Sequence, residues 1–142
     1  MIRVEELKAE LYDVVGAIYE VHKELGAGLN EACYQEGLQL QLETDNIPYN
    51  RELCFHPSYH GIQMTSLFRV DFLCKDNIVV ECKSVSELGN IHRAQLFNYM
   101  RLLDKPCGIL VNFMPNFAVV ERYFYDSERR SILTVNGHEV RL

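Results

Sequence analysis

The chain has 142 residues, with 14 basic against 20 acidic side chains, a formal charge of −6 and no tryptophan. This length fits one domain with one core, and the acidic balance argues against binding nucleic acid through bulk positive charge. The chain has no apolar run long enough to span a bilayer, and its beginning lacks the hydrophobic region of a signal peptide. We therefore expect a single domain over residues 1–142 that is soluble, cytoplasmic and independent of membranes.

The cysteines give no sign of a disulfide framework or a zinc site. They are odd in number, widely separated and free of any Cys-x-x-Cys pair. Most lie inside apolar segments, which favours small buried hydrophobic residues in a reducing compartment. These residues are Cys33, Cys54, Cys74, Cys82 and Cys107.

The first part of the chain predicts two helices and a short strand. Apolar residues at helical spacing predict a helix over about residues 4–25, which ends at Gly26-Ala27-Gly28. A second helix is expected over about 30–43, with Asn30 as its N-cap. A short strand over 52–56 follows.

A β-hairpin is the most informative feature of the sequence. Its first strand is expected to begin near Thr65, and a three-residue loop over 75–77 would pair Cys74 with Ile78 and place Asp71 opposite Glu81. A two-residue loop would shift the register by one residue and put charge into the core, so burial favours the first register. Alternation then places Asp71, Glu81 and Lys83 on one face, and Val70, Phe72, Cys74, Ile78, Val80 and Cys82 on the other.

Charged residues in this hairpin suggest hydrolytic chemistry. Two carboxylates on neighbouring strands can hold a hard divalent cation, and Lys83, two residues after Glu81, can polarise a water or a phosphate oxygen. An Asp…Glu-x-Lys pattern is common, however, and a solvated hairpin face with an ordinary charge pair accounts for it as well. The rest of the sequence has to decide between these interpretations.

The second half of the chain predicts one helix and several strands. A helix is expected over about 87–103, followed by an apolar interior strand over 107–113 and another strand over 117–125. Asn136-Gly137 between residues 131–135 and 138–142 predicts a type I′ hairpin. The resulting order indicates a mixed α/β protein, in which helices pack on a mixed sheet.

Two further groups of residues lie at helical spacing. Glu31 and Tyr34 are three residues apart at the start of the second helix, where Glu31 could complete a cation site or simply interact with the helix dipole. His92, Gln95 and Tyr99 share one face of the third helix. Gln95 could bind a phosphate, a base or a water, and a solvent-facing polar stripe explains these residues equally well.

Taken together, these motifs resemble the bacterial GxxExxY family, which is placed within the PD-(D/E)XK nuclease-like superfamily. Gly28, Glu31 and Tyr34 have the spacing that names the family. The likeness extends over nearly the whole chain, through Val21–Gly28, Arg69–Asp71, Val80–Lys83, His92–Gln95 with Tyr99, and Val111–Phe113. One departure is Val70, which stands where the superfamily name has a proline.

The resemblance implies a restriction-endonuclease-like mixed β-sheet flanked by helices. It further implies that Glu31 joins Asp71 and Glu81 around Mg²⁺, with Lys83 as the catalytic lysine and Gln95 in a Gln-x-x-x-Tyr element. The carbonyl of Cys82 would add a ligand, and Mn²⁺ could substitute for Mg²⁺. Tyr34, His22, His92 and Tyr99 would support this site, with His22 either assisting Glu31 or packing as a hydrogen-bonded core histidine.

Two functions follow as hypotheses. The first is a metal-dependent nuclease that hydrolyses phosphodiester bonds in nucleic acid, with DNA as the expected substrate. The alternative is a catalytically inactive nuclease-fold module that binds or scaffolds together with a protein partner, which the net charge and small size favour. A homodimer is a third hypothesis, in which exposed Tyr123, Phe124 and Tyr125 could make the contact, although alternation predicts that at least Phe124 or its neighbours belong to the core.

Overall fold

A computed structural model describes residues 4–142, so the first three residues of the predicted domain lie outside the described part. The helices are α1 (Val4–Leu25), α2 (Glu31–Thr44) and α3 (Asn90–Leu103). The strands are β1 (Tyr49–Phe55), β2 (Ser58–Tyr59), β3 (Ile62–Gln63), β4 (Phe68–Cys74), β5 (Ile78–Lys83), β6 (Cys107–Asn112), β7 (Val119–Asp126) and β8 (Ser131–Thr134).

Six strands form one mixed sheet, which confirms the predicted architecture. Their order is β1-β4-β5-β6-β7-β8, and every neighbouring pair is antiparallel except β5 and β6. The parallel pair is joined through α3, because parallel neighbours need a crossover connection. β6 is buried along its whole length, as the apolar run predicts.

The sheet has a hydrophobic core on each face. α1 and α2 pack on one face through residues such as Ile18 and Leu38, against Val80 and Ile109 of the sheet. α3 packs on the other face through Leu96, Phe97 and Met100. Three layers result, and the central strands lie between them.

Close approach of α3 to β6 depends on a glycine. A Cβ atom at Gly108 would clash with the sulfur of Met100 and approach Leu96 Cδ1 to 3.1 Å. The glycine lets the helix lie directly on the strand, which fixes the height of α3 above the centre of the sheet.

Several predicted boundaries are wrong. β1 begins at Tyr49 rather than at residue 52, and β4 begins at Phe68 rather than near Thr65. The third helix begins at Asn90 rather than near 87, because residues 84–89 form a bent segment between β5 and α3. Residues 138–142 do not form a strand, and their only ladder contact in the described chain is an isolated bridge between Leu133 and Glu139.

The Asn136-Gly137 turn also differs from the predicted type I′. A type I′ turn requires positive φ at both central residues, and only Gly137 has one, at 84°. The amide of Gly137 donates to the Thr134 carbonyl at 2.9 Å, and the amide of Thr134 donates to the His138 carbonyl at 2.8 Å. This is the pattern of a three-residue loop with glycine in the left-handed region.

A second small sheet was not predicted. β2 and β3 pair as an antiparallel ribbon, with Ser58 opposite Gln63 and Tyr59 opposite Ile62. The ribbon extends the β1–β4 hairpin beyond the main sheet, and all residues from 58 to 67 are exposed.

The cysteines are free thiols, as expected. Cys74, Cys82 and Cys107 are buried, Cys33 is half-buried and Cys54 is exposed. Among the helices of residues 4–142, none is both long and apolar enough to cross a membrane.

The surface predicted for a homodimer is wrong. Tyr123 is buried and its hydroxyl donates to Glu121 at 2.6 Å. Phe124 and Tyr125 are half-buried and pack against opposite cores. These three side chains stabilise the domain and do not present an apolar patch.

Candidate active site

The hairpin register is the predicted one, but the strands change faces within it. Cys74 pairs with Ile78, Leu73 with Val79 and Phe72 with Val80, and the ladder then stops at Asp71. The prediction that Val70 shares a face with Phe72 is wrong. Val70 lies in the core under α3, whereas Phe72 lies in the core under α1 and α2.

The cause of this reversal lies in the neighbouring strand. Glu52 would stand opposite Asp71 in the β1–β4 ladder, yet the ladder omits this pair between Arg51–Phe72 and Leu53–Val70. Glu52 has a φ of 55°, in the left-handed region that non-glycine residues rarely adopt. Both strands therefore twist at this point, and the β4–β5 pair opens at Asp71.

Side chains take over the hydrogen bonds where the ladder opens. The amide of Asp71 donates to Glu81 Oε1 at 3.2 Å. The amide of Cys82 donates to Asp71 Oδ2 at 2.8 Å. Each carboxylate is thus fixed by the backbone of the opposite strand, and the two acids lie side by side.

Burial sets the ionisation of this pair. Glu81 is only 3% exposed, and burial, reinforced by the nearby Asp71 charge, raises its pKa well above the usual range. Burial also raises the pKa of Asp71, although the Cys82 amide and the positive charge of Lys83 act in the opposite direction. Two neighbouring carboxyls with raised pKa values readily share a proton or a cation.

Glu31 and Lys83 complete the charged cluster. Glu31 is the first residue of α2, and partial burial raises its pKa while the charge of Lys83 lowers it and that of Asp71 raises it. Glu31 therefore lies within electrostatic range of Asp71 and Lys83. Asp71 and Glu81 are joined by hydrogen bonds, and the charges of Glu31 and Lys83 act on this pair from α2 and from the end of β5.

Hydrogen bonds join the end of β5 to its neighbours on both sides. The amide of Phe113 donates to the Lys83 carbonyl at 2.9 Å, and the Ser84 hydroxyl donates to the Leu29 carbonyl at 2.5 Å. The loop before α2 is therefore attached to the residue after Lys83. This link positions Glu31 relative to Lys83.

Tyr34 holds the loop that precedes Glu31. Its hydroxyl donates to the Gly26 carbonyl at 2.6 Å and accepts from the Leu29 amide at 3.1 Å. Its ring stacks on Phe113, with the ring centres 4.5 Å apart. Gly28 has a φ of 80° within this loop, which explains the glycine of the Gly-x-x-Glu-x-x-Tyr spacing.

Gln95 and Tyr99 lie on the α3 side of the cluster. The amide nitrogen of Gln95 donates to the Tyr99 hydroxyl at 3.2 Å. Burial raises the pKa of Tyr99, and the charges of Glu81 and Asp71 add to this effect. Tyr99 is therefore close to both carboxylates, and Gln95 is next to Tyr99.

His92 and His22 lie at the border of the site in structural positions. His92 Nδ1 accepts the Gly89 amide at 2.9 Å and so caps the start of α3. His22 Nε2 is 2.8 Å from the Pro115 carbonyl, and its ring stacks on Phe113. His22 therefore packs as a hydrogen-bonded histidine, without a hydrogen bond to Glu31 in the described structure.

The Cys82 thiol points into the hydrophobic core, where the charges of the nearby carboxylates still act on it. The side chain is fully buried in the core under α1 and α2, where burial raises the pKa of the thiol well above its usual range. Only the backbone of Cys82 belongs to the site.

Sequence reasoning missed the role of Asn112. This residue is 2% exposed, and its Oδ1 accepts the amides of Val85 at 3.1 Å and Met114 at 3.2 Å. Its Nδ2 donates to the Val85 carbonyl at 2.8 Å. Asn112 therefore fixes the segment that follows Lys83. The available signal in the sequence was that Asn112, a polar residue, ends the otherwise apolar strand β6.

The donor set suits a hard divalent cation. Asp71 Oδ1 and Glu81 Oε2 accept no backbone amide among the described residues, and the two carboxyl groups lie within hydrogen-bond reach of each other. Within residues 4–142, no three His, Cys, Asp or Glu side chains form a ready-made metal cluster. A cation bound here would take its remaining ligands from carbonyl oxygen and water, as Mg²⁺ does.

A family comparison agrees with this geometry. Residues 8–123 match the profile described as the PD-(D/E)XK nuclease superfamily. The chain belongs to this superfamily. Its mixed sheet flanked by helices is accordingly the restriction-endonuclease-like fold, and the expectation drawn from the sequence motifs is confirmed at superfamily level.

One solved structure supports the fold of this PD-(D/E)XK protein. The crystal structure of SSO0001 is 21% identical, with a TM-score of 0.54 over 70% of this chain and 53% of that chain. The chain thus spans about half the length of SSO0001. A search of curated proteins found no match.

Proposed function

We propose that this PD-(D/E)XK protein is a metal-dependent nuclease that hydrolyses phosphodiester bonds in nucleic acid. The observation that carries the proposal is the interlocked pair of carboxylates, half-buried Asp71 and buried Glu81, whose ionisation is affected by the charge of Lys83. Burying two adjacent acids is costly unless a cation offsets their charge. Proteins of this superfamily generally use divalent metals.

Asp71 and Glu81 would bind Mg²⁺ directly, and the Cys82 carbonyl and Glu31 would complete the ligand set, with Mn²⁺ as a substitute. The oxygens of the two strand carboxylates that accept no backbone amide support this assignment. Glu31 is attached to the site through the Tyr34-held loop, which the Ser84 hydroxyl joins to the end of β5, so its position depends on both α2 and the hairpin. When bound, the cation supplies charge neutralisation at the phosphate and lowers the pKa of water.

Lys83 and Gln95 would act on the substrate. The Lys83 ammonium would orient the attacking water and stabilise the negative charge that develops on the phosphate oxygens. Gln95 would donate a hydrogen bond to a phosphate or to the water, with its side chain held by Tyr99. Lys83 is positioned for this by the hydrogen bond from the Phe113 amide to its carbonyl.

DNA is the proposed substrate, and a homodimer acting on it is the proposed assembly. The domain is acidic overall, so the bound cation and local cations would have to offset repulsion from the phosphates. We place the domain over residues 1–142 and expect it to act in the cytoplasm. The GxxExxY motif of Gly28, Glu31 and Tyr34 supports assignment to that narrower family.

Cleavage assays test the proposal. Single-stranded, duplex and branched DNA and RNA are incubated with wild type, Asp71→Ala and Lys83→Ala in Mg²⁺ or Mn²⁺. We expect both variants to lose cleavage by at least about 100-fold, as removal of a charged catalytic group does in other enzymes. Glu36→Ala and Lys23→Ala, which alter exposed residues on α2 and α1, are the matched controls and should keep full activity.

Binding of Mn²⁺ separates the nuclease from the scaffold alternative. Calorimetry should detect Mn²⁺ binding to wild type and to Lys83→Ala, and not to Asp71→Ala. Cleavage that is equal in wild type and both variants would refute the assignment. A folded wild type that binds no Mn²⁺ and cleaves nothing would favour the inactive module.

A further inference from the structure

The β2–β3 ribbon is the most exposed regular element of the described chain that the proposed mechanism does not use. Ten consecutive residues, 58–67, are exposed. Large apolar side chains are unusually frequent among them, and Tyr59 and Ile62 are 67% and 71% exposed. Met64 and Leu67 are also exposed. Contiguous exposed apolar groups of this kind mark binding surfaces.

The ribbon is ordered by its own hydrogen bonds. The amide of Met64 donates to the Pro57 carbonyl at 2.8 Å, and His56 Nδ1 lies 2.9 Å from the Ser66 carbonyl. At the tip, the rings of Tyr59 and His60 meet edge to face, with their centres 4.3 Å apart. These contacts hold the Tyr59 ring at the surface without burying it.

Aromatic contacts anchor the base of the ribbon beside the site. Phe55 and Phe68 form the last pair of the β1–β4 ladder, with ring centres 5.8 Å apart. Each ring lies 6.1 Å from that of Tyr99. Tyr99 is the residue that contacts Gln95 next to the carboxylates. The ribbon therefore has a fixed position relative to Asp71 and Glu81.

The strand that leaves the ribbon leads directly to the site. β4 runs from Phe68 through Arg69 to Asp71. Asp71 is four positions after Leu67, a span of about 13 Å in an extended strand. Arg69 is exposed between them. A substrate at the carboxylates that continues past Arg69 would reach the ribbon.

Charge on this segment fits a polyanion. Residues 53–70 contain no Asp or Glu, although the chain has 20 such residues in 142. The segment contains Arg69, His56 and His60, and its hydroxyl and amide side chains can donate hydrogen bonds. A phosphate backbone would meet no repulsion here, in contrast to the acidic outer surface of α1 and α2.

We propose that the β2–β3 ribbon is a substrate-binding arm, in which the exposed ring of Tyr59 stacks on a base of the nucleic acid strand held at Asp71 and Glu81. The proposal rests on the proposed nuclease function and adds the contact that positions the strand. Stacking on an aromatic ring is tolerant of sequence, because every base has a π-face. Arg69 contacts the backbone between the stacked base and the site.

Binding measurements test the arm. The affinity of full-length protein for a fluorescent single-stranded DNA is measured by anisotropy in Ca²⁺, with wild type, Tyr59→Ser, Tyr59→Phe and Tyr12→Ser. Tyr12 is the matched control, since it is 80% exposed on α1. We expect Tyr59→Ser to weaken binding about tenfold, and Tyr59→Phe and Tyr12→Ser to change it less than about twofold. In cleavage assays, KM should rise for Tyr59→Ser while kcat stays nearly constant.

These measurements distinguish an absent binding arm from an absent nuclease activity. If wild type binds and cleaves nucleic acid and Tyr59→Ser behaves as Tyr12→Ser does, the arm is refuted while the nuclease stands. A fall in molecular mass of Tyr59→Ser by light scattering would also refute it, since the ribbon would then contact a second copy. A wild type that neither binds nor cleaves any nucleic acid removes both proposals.

Discussion

Asp71 and Glu81 are fixed across the opening between two strands, with the Asp71 amide on Glu81 Oε1 at 3.2 Å and Asp71 Oδ2 on the Cys82 amide at 2.8 Å. The backbone therefore holds buried Glu81 and half-buried Asp71 together through its own hydrogen bonds. The protonation state of the two carboxyls therefore affects the stability of the folded protein, which can be measured without any substrate.

Replacing Glu81 with glutamine should stabilise the metal-free protein at alkaline pH. Because the folded-state pKa of Glu81 is raised, the folded protein binds this proton more tightly than the unfolded chain. The folded protein therefore loses stability as the pH rises from about 4, the pKa of glutamate in the unfolded chain, through the raised pKa of Glu81 in the folded protein. We expect Glu81→Gln to raise the free energy of unfolding by about 1 to 3 kcal/mol at pH 8, and by less at pH 5.

Urea denaturation in a chelator at both pH values measures this difference. Glu36→Gln, on the exposed face of α2, should change stability by less than about 0.5 kcal/mol. Saturating Mn²⁺ should stabilise wild type and not Glu81→Gln, so that wild type becomes the more stable of the two proteins. A variant less stable than wild type at pH 8 without metal would contradict the prediction.

Asn112→Ala should weaken the segment after Lys83. The substitution leaves the amide and carbonyl of Val85 and the amide of Met114 without their buried partner. We expect a loss of about 2 to 4 kcal/mol in unfolding free energy and faster hydrogen exchange at Val85. Asn98→Ala, on the exposed face of α3, is the control. Unchanged protection at Val85 would show that Asn112 does not hold this segment.

Tyr34→Phe should loosen the loop that carries Glu31 while keeping the stack on Phe113. The missing hydroxyl leaves the Gly26 carbonyl and the Leu29 amide unpaired, at an expected cost of about 1 to 3 kcal/mol. Hydrogen exchange at Leu29 and urea denaturation measure the effect. Tyr12→Phe removes an exposed hydroxyl and should be neutral. Equal stability of the two variants would refute this role.

Gly108→Ala should destabilise the packing of α3 on β6 by about 1 to 3 kcal/mol, because the added methyl group meets the Met100 sulfur. In a Met100→Ala background the same change should cost much less, which a double-mutant cycle measures. Gly16→Ala is the control. That helical glycine has open space around it, so alanine should stabilise α1 by about 0.5 to 1 kcal/mol. Additive effects at 100 and 108 would contradict the contact.

The sequence predicted the parts of the site that local rules determine. Loop length gave the pairing of Cys74 with Ile78, and apolar spacing gave the helices that carry Glu31 and Gln95. The change of face between Val70 and Phe72 was missed, because it depends on the positive φ of Glu52 in a strand that is distant in sequence.

Other misses have the same origin. Asn112 acts on Val85, which is 27 residues away, so neither residue alone signals the contact. The Asn136-Gly137 turn was misassigned because the same dipeptide occurs in a three-residue loop, where only the glycine needs positive φ. The acid-free segment 53–70 can be read from the sequence, but its position beside the carboxylates depends on the pairing of β1 with β4.

Because β5 pairs in parallel with β6, the end of β5 gains its neighbouring strand late when the chain folds during synthesis. Lys83 receives its partner, the Phe113 amide, only after the intervening 29 residues have left the ribosome and α3 has closed over the sheet. Until then, the two acids and the amine lie on a hairpin without its neighbouring strand. A nascent chain therefore has to complete this crossover before the candidate site is assembled.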